Sequence, residues 1–390
     1  MHCGVIFGGV ASLALVASPV SAETIEDEKD PFTVDLTYTT DLMGSVSGGI
    51  NKNFYWLDNL DVVGNADLDA LVGWQGATAH LHILNNLGGM PNNGAGTLQG
   101  VDNIEVGSQR LRIFEAWVEQ RLGEAVSLRM GLYDLNSEFY VADTAGLLIA
   151  PAFGIGSEIA ATGPNGPSIF PSTAIAARID VKLGEAGYAR AAILNATAGT
   201  IGDPSGVNLS FDDGALLIGE AGIQGRGRIG IGVWGYTLKQ DDIRDVLPDG
   251  SPAQRKARGA YALGEMPLND AKGVHATALF ARAGLSDGET TPFKGGWQAG
   301  VLVSHLFAGR PDSSVSFGAN QGYLSKGYRR NLADEGVRTA SAETALEITF
   351  SDKLADWLRV QPDLQWVFNP SGDKDRHDVV IVGLRTELAF

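Results

Sequence analysis

The chain has 390 residues, a formal net charge of −17 at pH 7 and a mean hydropathy close to zero. Because no basic stripe offers phosphate neutralisation, this composition excludes a nucleic-acid partner. Moderate charge, neutral hydropathy and 51 glycines suit a barrel with one lipid face and one aqueous face.

Segment 1–22 is predicted to be a signal peptide. Its apolar run ends at Val20-Ser-Ala22, small residues typical of a cleavage site before Glu23, although the basic residues that usually precede such a run are missing. The single cysteine, Cys3, lies in this segment, so cysteine spacing predicts no metal site. No later stretch reaches the ~18 apolar residues of a transmembrane helix. An exported chain with strong β patterning is either periplasmic or an outer-membrane barrel.

From Phe32 onward, apolar residues alternate with polar or small ones, which is the period of β-strands. Sixteen segments show this pattern: 32–42, 52–68, 73–85, 110–121, 126–134, 173–183, 186–195, 214–223, 228–239, 257–266, 273–284, 297–307, 313–322, 341–350, 357–367 and 378–390. Bacterial single-chain membrane barrels have an even number of strands. The predicted fold is therefore all-β: one transmembrane up-and-down antiparallel β-barrel domain over residues 23–390.

The two faces of the predicted strands differ in polarity. In the last segment, Val380, Leu384 and Phe390 share one face, whereas Arg385 and Glu387 lie on the other. An arginine on the lipid side at the bilayer midplane costs about 2–4 kcal/mol. The charged face is therefore expected to line a water-filled lumen, and the same reasoning turns Arg178 inward.

The predicted connections alternate between short and long. Short ones include Gly123-Glu124, Gly184-Glu185 and Gly225–Gly227, and the long ones are 86–109, 135–172, 196–213, 240–256, 285–296 and 323–340. In an up-and-down barrel, every second connection lies on the same rim, and membrane barrels have short periplasmic turns and long external loops. A soluble sandwich has no reason to sort its loops in this way.

The connection 135–172 is long enough to need a functional reason. A sixteen-stranded barrel otherwise encloses a wide aqueous channel, so we expect this loop to fold into the lumen and narrow it. The alternative is an external flap. Acidic and aromatic residues, among them Glu138, Tyr140 and Glu158, could then take part in the constriction.

The strands beside this loop supply further charged side chains. Arg129 is predicted to point inward, and Glu115 and Glu119 share one strand face with Trp117. Simple alternation would place Arg112 on the apolar face of the same strand, which indicates a bulge or a loop edge. Arginine and glutamate around a narrow opening can form hydrogen bonds with sugar hydroxyls, and tryptophan or tyrosine can stack on a sugar ring.

Other motifs carry no convincing chemistry. Gly225-x-Gly227-x-x-Gly230 continues as a strand instead of a helix, so it is not interpreted as a dinucleotide site. Gly284-Leu-Ser-Asp-Gly288 has the nucleophile-elbow spacing, but neither a following helix nor a histidine partner is evident. His80 and His82 share a strand face without a third ligand nearby in sequence, and they are interpreted as lumen-facing polar residues. No enzyme activity, catalytic residue, cofactor or metal is predicted.

Across nearly the whole of residues 23–390, the chain resembles the carbohydrate-selective porins of the OprB family in Gram-negative outer membranes. The stretches that carry the resemblance are Arg110–Gln120, Leu128–Phe139, Gly166–Pro171, Glu343–Phe350 and Gln361–Pro370, together with the terminal Phe390. Ala177 departs from it, because glycine is expected there.

The resemblance implies passive diffusion of mono- and small oligosaccharides through a sixteen-stranded channel whose constriction is lined by arginine and glutamate. The matching positions here are Arg112, Glu115, Arg129 and Glu138, and the inward-facing pattern adds Glu119 and Arg178. Expected partners are permeating sugars, outer-membrane lipid and lipopolysaccharide, with the chain as a homotrimer or a monomer. A general, weakly selective porin and a periplasmic carbohydrate-binding β protein remain alternatives.

Overall fold

A computed structural model describes residues 30–269 and 273–390, so the predicted signal peptide lies outside the described part of the chain. The described strands are β1 (Phe32–Ser47), β2 (Phe54–Asp67), β3 (Ala77–Gly88), β4 (Leu111–Leu122), β5 (Val126–Tyr133), β6 (Ala174–Leu183), β7 (Gly187–Asn195), β8 (Ala215–Gln224), β9 (Arg228–Tyr236), β10 (Gln240–Val246), β11 (Pro252–Arg255), β12 (Arg258–Pro267), β13 (Ala276–Ser286), β14 (Phe293–Ser304), β15 (Ser314–Leu324), β16 (Ala342–Ala355), β17 (Leu358–Phe368) and β18 (Val379–Ala389). All but β10 and β11 form one closed barrel, which confirms the predicted all-β fold of sixteen strands.

The barrel closes between its first and last strands. β1 pairs antiparallel with β18, with Leu42 opposite Leu384 and Thr37 opposite Ala389. Every other barrel strand pairs antiparallel with its chain neighbour, and β9 pairs with β12 across the β10–β11 insertion. Closure gives every barrel strand a hydrogen-bonded neighbour on both sides, as a strand in the membrane requires.

Side chains alternate between an apolar outer face and a polar interior. In β9, Ile229, Ile231 and Val233 are each more than 60 % exposed. The residues that alternate with them, such as Gly232 and Trp234, are buried. A soluble sandwich would bury such apolar side chains, but a membrane barrel turns them toward lipid. The strand periodicity in the sequence therefore distinguished the outer from the inner face.

In the part of the chain that the structure describes, four short α-helices accompany the barrel: α1 (Leu68–Val72), α2 (Asn92–Ala95), α3 (Ser157–Ala160) and α4 (Lys326–Asp334). Single 3-10 turns lie at Leu135–Ser137, Asp143–Ala145, Pro151–Phe153 and Pro370–Gly372. Among the described residues, no helix has both the length and the apolar character needed to cross a membrane.

The five longest connections of the described residues lie on one rim of the barrel, whereas the opposite rim carries the tightest turns together with the longer connections 68–76 and 305–313. The turn rim carries 123–125, 184–186, 225–227 and 356–357, whereas the loop rim carries 89–110, 134–173, 196–214, 237–257 and 325–341. Two predicted loops differ from the structure. The predicted loop 240–256 contains the β10–β11 hairpin, which packs beside α4 with Arg244 Nη1 2.8 Å from Asp334 Oδ2. The predicted loop 285–296 is shorter, because β14 already begins at Phe293.

Candidate functional site

The connection between β5 and β6, residues 134–173, is called the long loop here, and it crosses the interior of the barrel. Near its start, Tyr140 stacks on Tyr261 of β12, with ring centroids 4.1 Å apart. Further along, the Leu147 carbonyl accepts a hydrogen bond of 2.7 Å from Gln361 of β17. In the strand order, β17 lies far around the barrel from β5 and β6. The contacts of the long loop therefore extend from its own strands to the far wall.

Arg282 of β13 binds the backbone of the long loop. Its guanidinium, which is fully buried, donates to the carbonyls of Tyr140 at 2.6 Å, Phe153 at 2.5 Å and Gly154 at 2.8 Å. Backbone carbonyls buried inside a barrel need donors, and one arginine supplies several in a fixed geometry. This side chain holds two separate parts of the loop against one wall.

The carboxylate of Glu158 in α3 is seated over a glycine of the barrel wall. Glu158 accepts a hydrogen bond of 2.8 Å from the Tyr140 hydroxyl, and its Oε1 lies 1.8 Å from where a Cβ on Gly284 would stand. Gly284 is thus the position at which the wall makes room for the long loop. The glycine that resembled part of a nucleophile elbow lies inside strand β13.

A second inward loop, residues 89–110, was not predicted. Glu343 of β16 accepts hydrogen bonds from the backbone N–H groups of Leu98 at 2.8 Å and Gln99 at 2.9 Å, and Gln365 of β17 donates to the Val101 carbonyl at 2.8 Å. The two inward loops also meet, because Ser157 Oγ donates to the Gln99 side chain. The predicted long loop therefore shares the lumen with loop 89–110.

Four of the six predicted site residues form one ion-pair network. Arg178 of β6 binds Glu119 of β4 at 2.5 Å and Glu138 of the long loop at 2.8 Å. Arg129 of β5 binds Glu119 at 2.9 Å and lies 3.7 Å from Glu138. Both arginines thus bridge the same two carboxylates, and the long loop is joined to the wall through Glu138. We call these four residues the Arg–Glu network.

The charges of this network balance. Burial alone raises the pKa of Glu138, but the guanidinium groups of Arg129, Arg178 and Arg190, with a hydrogen bond from the Tyr133 hydroxyl, lower that pKa to about 2. Glu138 is therefore ionised at neutral pH. Two cations then face two anions, so the network presents hydrogen-bonding groups with little net charge.

Glu115 lies beside this network on the same inward face of β4 as Trp117 and Glu119, and a bulge separates it from Arg112. The register between β3 and β4 passes from His82 opposite Glu115 to Ile83 opposite Ile113, so Phe114 is the extra residue. The bulge changes the side-chain parity, as the position of Arg112 in the sequence indicated. Glu115 Oε1 accepts hydrogen bonds from the Asp134 backbone at 3.0 Å and from Trp117 Nε1 at 3.2 Å.

Arg112 binds a different set of partners. It is 2 % exposed, and its Nε donates to Asp203 at 2.9 Å while its Nη2 donates to the Ser108 carbonyl at 2.8 Å. Burial raises the pKa of Asp203, but hydrogen bonds from Ser172 and Arg112 outweigh this and lower it. Arg112 also borders a cavity of about 510 Å³ on the loop side, whose lining includes Phe170 and Asn165.

Several charged and aromatic groups next to the network were not predicted from the sequence. Arg190 of β7 binds Asp180 of β6 at 3.1 Å, and its Nη1 donates to the Glu138 carbonyl at 2.7 Å. A second cluster joins Glu220 of β8 to Arg228 of β9 at 2.5 Å, with the hydroxyl of Tyr261 donating to Glu220 at 2.8 Å. Alternation along the strands could have identified these side chains as inward-facing. Which of them pair with each other depends on the strand register.

His80 and His82 have a third neighbour in space. The register places Glu115 opposite His82, and one ligand atom from each of the three residues lies within 4.8 Å of the others. No third ligand lies near the two histidines in sequence, but the adjacent strand supplies an acidic one in space.

Comparison with known proteins identifies the family. The model of the carbohydrate-selective porin, OprB family, matches residues 54–390. The chain belongs to this family. An OprB-family barrel is an outer-membrane porin, so family and fold point to a channel for carbohydrates rather than to an enzyme.

Individual proteins show the same likeness along nearly the whole chain. Porin B of Pseudomonas aeruginosa is 20 % identical over 401 aligned positions, which cover 91 % of this chain and 87 % of that protein. The high-pH structure of OprB from Pseudomonas putida, also 20 % identical, superposes with a TM-score of 0.81 over 92 % of this chain and 94 % of its own. The outer-membrane channel DcaP of Acinetobacter baumannii is 12 % identical, with a TM-score of 0.56 over 92 % of this chain and 97 % of its own.

Proposed function

We propose that this OprB-family porin lets mono- and small oligosaccharides diffuse passively through a water-filled lumen that the long loop narrows. The Arg–Glu network carries the proposal, because it joins the long loop to the wall with paired, charge-balanced groups. Diffusion down a gradient needs no covalent step and no cofactor.

The charge balance of the network favours neutral polar solutes. A ring of like charges would attract counter-ions and repel co-ions. Here, Arg129 and Arg178 are compensated by Glu119 and Glu138 within hydrogen-bond distance. Such pairs offer donors and acceptors to hydroxyl groups without a strong field, and many weak contacts allow the solute to leave again.

The aromatic contacts of the site assign different roles to two side chains. The Arg129 guanidinium carbon lies 3.7 Å from a ring centroid of Trp117, and the His80 ring stacks on Trp117 with the ring centroids 4.6 Å apart. Protein groups therefore already contact the Trp117 ring. Phe170, by contrast, lines the 510 Å³ cavity beside Asn165 and Arg112. We therefore infer that Trp117 stiffens the network, whereas the cavity offers an aromatic face and polar groups to a sugar entering from the loop rim.

The exposed apolar outer face supports a lipid neighbour for the barrel. Leu384 and Phe390 of the last strand region are 44 % and 75 % exposed, as the membrane interpretation requires. We infer that hydrocarbon covers these side chains in the outer membrane.

Single-channel recording in planar bilayers tests the role of the network. Candidate sugars are added to the parent protein and to Arg129→Ala, and the concentration that half-blocks the ion current is measured. We expect weaker block in Arg129→Ala, because the hydrogen-bonding pair at Glu119 is broken. Arg338→Ala, which removes an exposed pair with Asp375 on the loop rim, is the control and should leave the block unchanged. An equal blocking constant in parent and Arg129→Ala removes Arg129 from the sugar path.

A further inference from the structure

We propose that His80, His82 and Glu115 form a binding site for a divalent transition-metal ion, with Zn²⁺ as the best match, on the inner wall of the barrel. Each residue offers one ligand atom, and these atoms lie within 4.8 Å of one another. Two imidazoles and one carboxylate are a common ligand set for Zn²⁺ at sites that keep a position open for water.

The strand pairing builds this arrangement. His80 and His82 are two positions apart on β3, so both side chains point to the same face. The unbroken register from Ala77 to His82 places Glu115 of β4 directly opposite His82, next to the bulge at Phe114. All three ligands therefore come from two paired strands, and such rigid elements hold a site more precisely than loops do.

His80 is prepared as a ligand by its other contacts. Its Nδ1 lies 2.8 Å from Asn65 Oδ1, and an amide oxygen can only accept, so Nδ1 carries the proton and Nε2 keeps its lone pair. His80 is 5 % exposed, and its Nε2 has no hydrogen-bond partner among the described residues. A buried nitrogen with an unused lone pair is costly unless something binds it.

Glu115 directs one oxygen at this nitrogen. Its Oε1 already accepts two hydrogen bonds, whereas its Oε2 lies 3.7 Å from His80 Nε2. Two ligands at ~2.0–2.1 Å from one tetrahedral Zn²⁺ lie about 3.4 Å apart. A small side-chain adjustment therefore suffices to place an ion between them.

His82 has the outer partner that metal-binding histidines usually have. Its Nε2 lies 2.7 Å from Asp61 Oδ1, and Asp61 Oδ2 in turn accepts from the Asn59 amide. A carboxylate that accepts the proton of one ring nitrogen leaves the other nitrogen available to a metal and raises its basicity. Asn65 and Asp61 thus orient the two rings from the neighbouring strand β2.

Calorimetric titration of the detergent-solubilised barrel with ZnCl₂ tests the site. The parent protein should bind one Zn²⁺ per chain, and His80→Ala and Glu115→Gln should lose this binding. Asn65→Ala, which removes only the orienting acceptor, should weaken binding by about 10- to 100-fold. The matched control is the double variant His275→Gln/His305→Gln. These histidines contact the carbonyls of Leu306 and Gly273, outside the cluster, so their replacement should leave binding intact.

Folding of each variant is checked by heat-modifiable gel mobility, and His82→Gln replaces any ligand variant that does not fold. Co²⁺ provides a second readout, because coordination by the cluster gives a visible absorption band that the ligand variants should lack. Absence of Zn²⁺ binding in the folded parent overturns the proposal. Retention of parent-like binding by a folded His80→Ala, His82→Gln or Glu115→Gln variant overturns it as well.

Discussion

Replacing Arg282 with methionine should release the long loop from the barrel wall. The buried guanidinium makes three hydrogen bonds of 2.5–2.8 Å to loop carbonyls. Methionine fills much of the same volume but donates nothing. Carbonyls left without a donor cost about 1–3 kcal/mol each, so for three carbonyls the packed loop should lose about 3–9 kcal/mol relative to a displaced one. This range raises the population of the displaced loop by roughly 100-fold or more.

Single-channel conductance measures this change directly. The parent should show a steady conductance, whereas Arg282→Met should show frequent openings to a larger one. The matched control is Arg244→Met, which removes a pair with Asp334 outside the lumen and should conduct like the parent. A folded Arg282→Met barrel with parental conductance and current noise would refute the view that this arginine holds a lumen-narrowing loop.

Three further predictions concern the same contacts. Gly284→Ala places a Cβ against the Glu158 carboxylate, so it should displace α3 and raise conductance in the direction of Arg282→Met. Gln365→Leu removes the donor to the Val101 carbonyl and should increase protease cleavage within 89–110 while residues of the long loop stay protected. Because the pKa of Glu138 is lowered to about 2, its ionised form contributes about 3 kcal/mol of stability above pH ~4.3, which is lost as pH falls toward 2. Melting temperatures across this interval should therefore fall more for the parent than for Glu138→Gln.

The strands could be predicted from the sequence because alternation is a local property. Each barrel strand needs an apolar outer face, and a run such as Ile229, Ile231 and Val233 shows that face without knowledge of any other part of the chain. The β10–β11 hairpin was not predicted, because it lacks this alternation. It forms a separate two-stranded sheet on the loop rim, and its residues Gln240–Val246 carry no apolar face that the pattern could reveal.

The contents of the lumen could not be predicted in this way. Alternation along β16 and β17 places Glu343, Gln361 and Gln365 on the inward face. It cannot show that they bind the backbone of loop residues more than 200 positions away. These residues lie in the stretches that resemble the OprB family, and their contacts give that resemblance a physical meaning: they anchor the two inward loops.

The register between strands decided the rest of the candidate site. Arg129, Glu119 and Arg178 come together because β4, β5 and β6 are consecutive neighbours, which the predicted topology already implied. The bulge at Phe114 separates Glu115 from Arg112, and no pattern within β4 alone determines which residue of β3 each one faces. A sequence can therefore indicate a bulge, whereas the pairing that follows from it needs both strands.

The most direct measurement is solute uptake into proteoliposomes that contain the correctly inserted barrel. A neutral monosaccharide should enter faster than a charged amino acid of similar size, and larger oligosaccharides should enter progressively more slowly as the long loop limits the opening. Equal rates for sugar and amino acid would contradict carbohydrate preference, and absence of sugar flux through a folded, inserted barrel would contradict the proposed function itself.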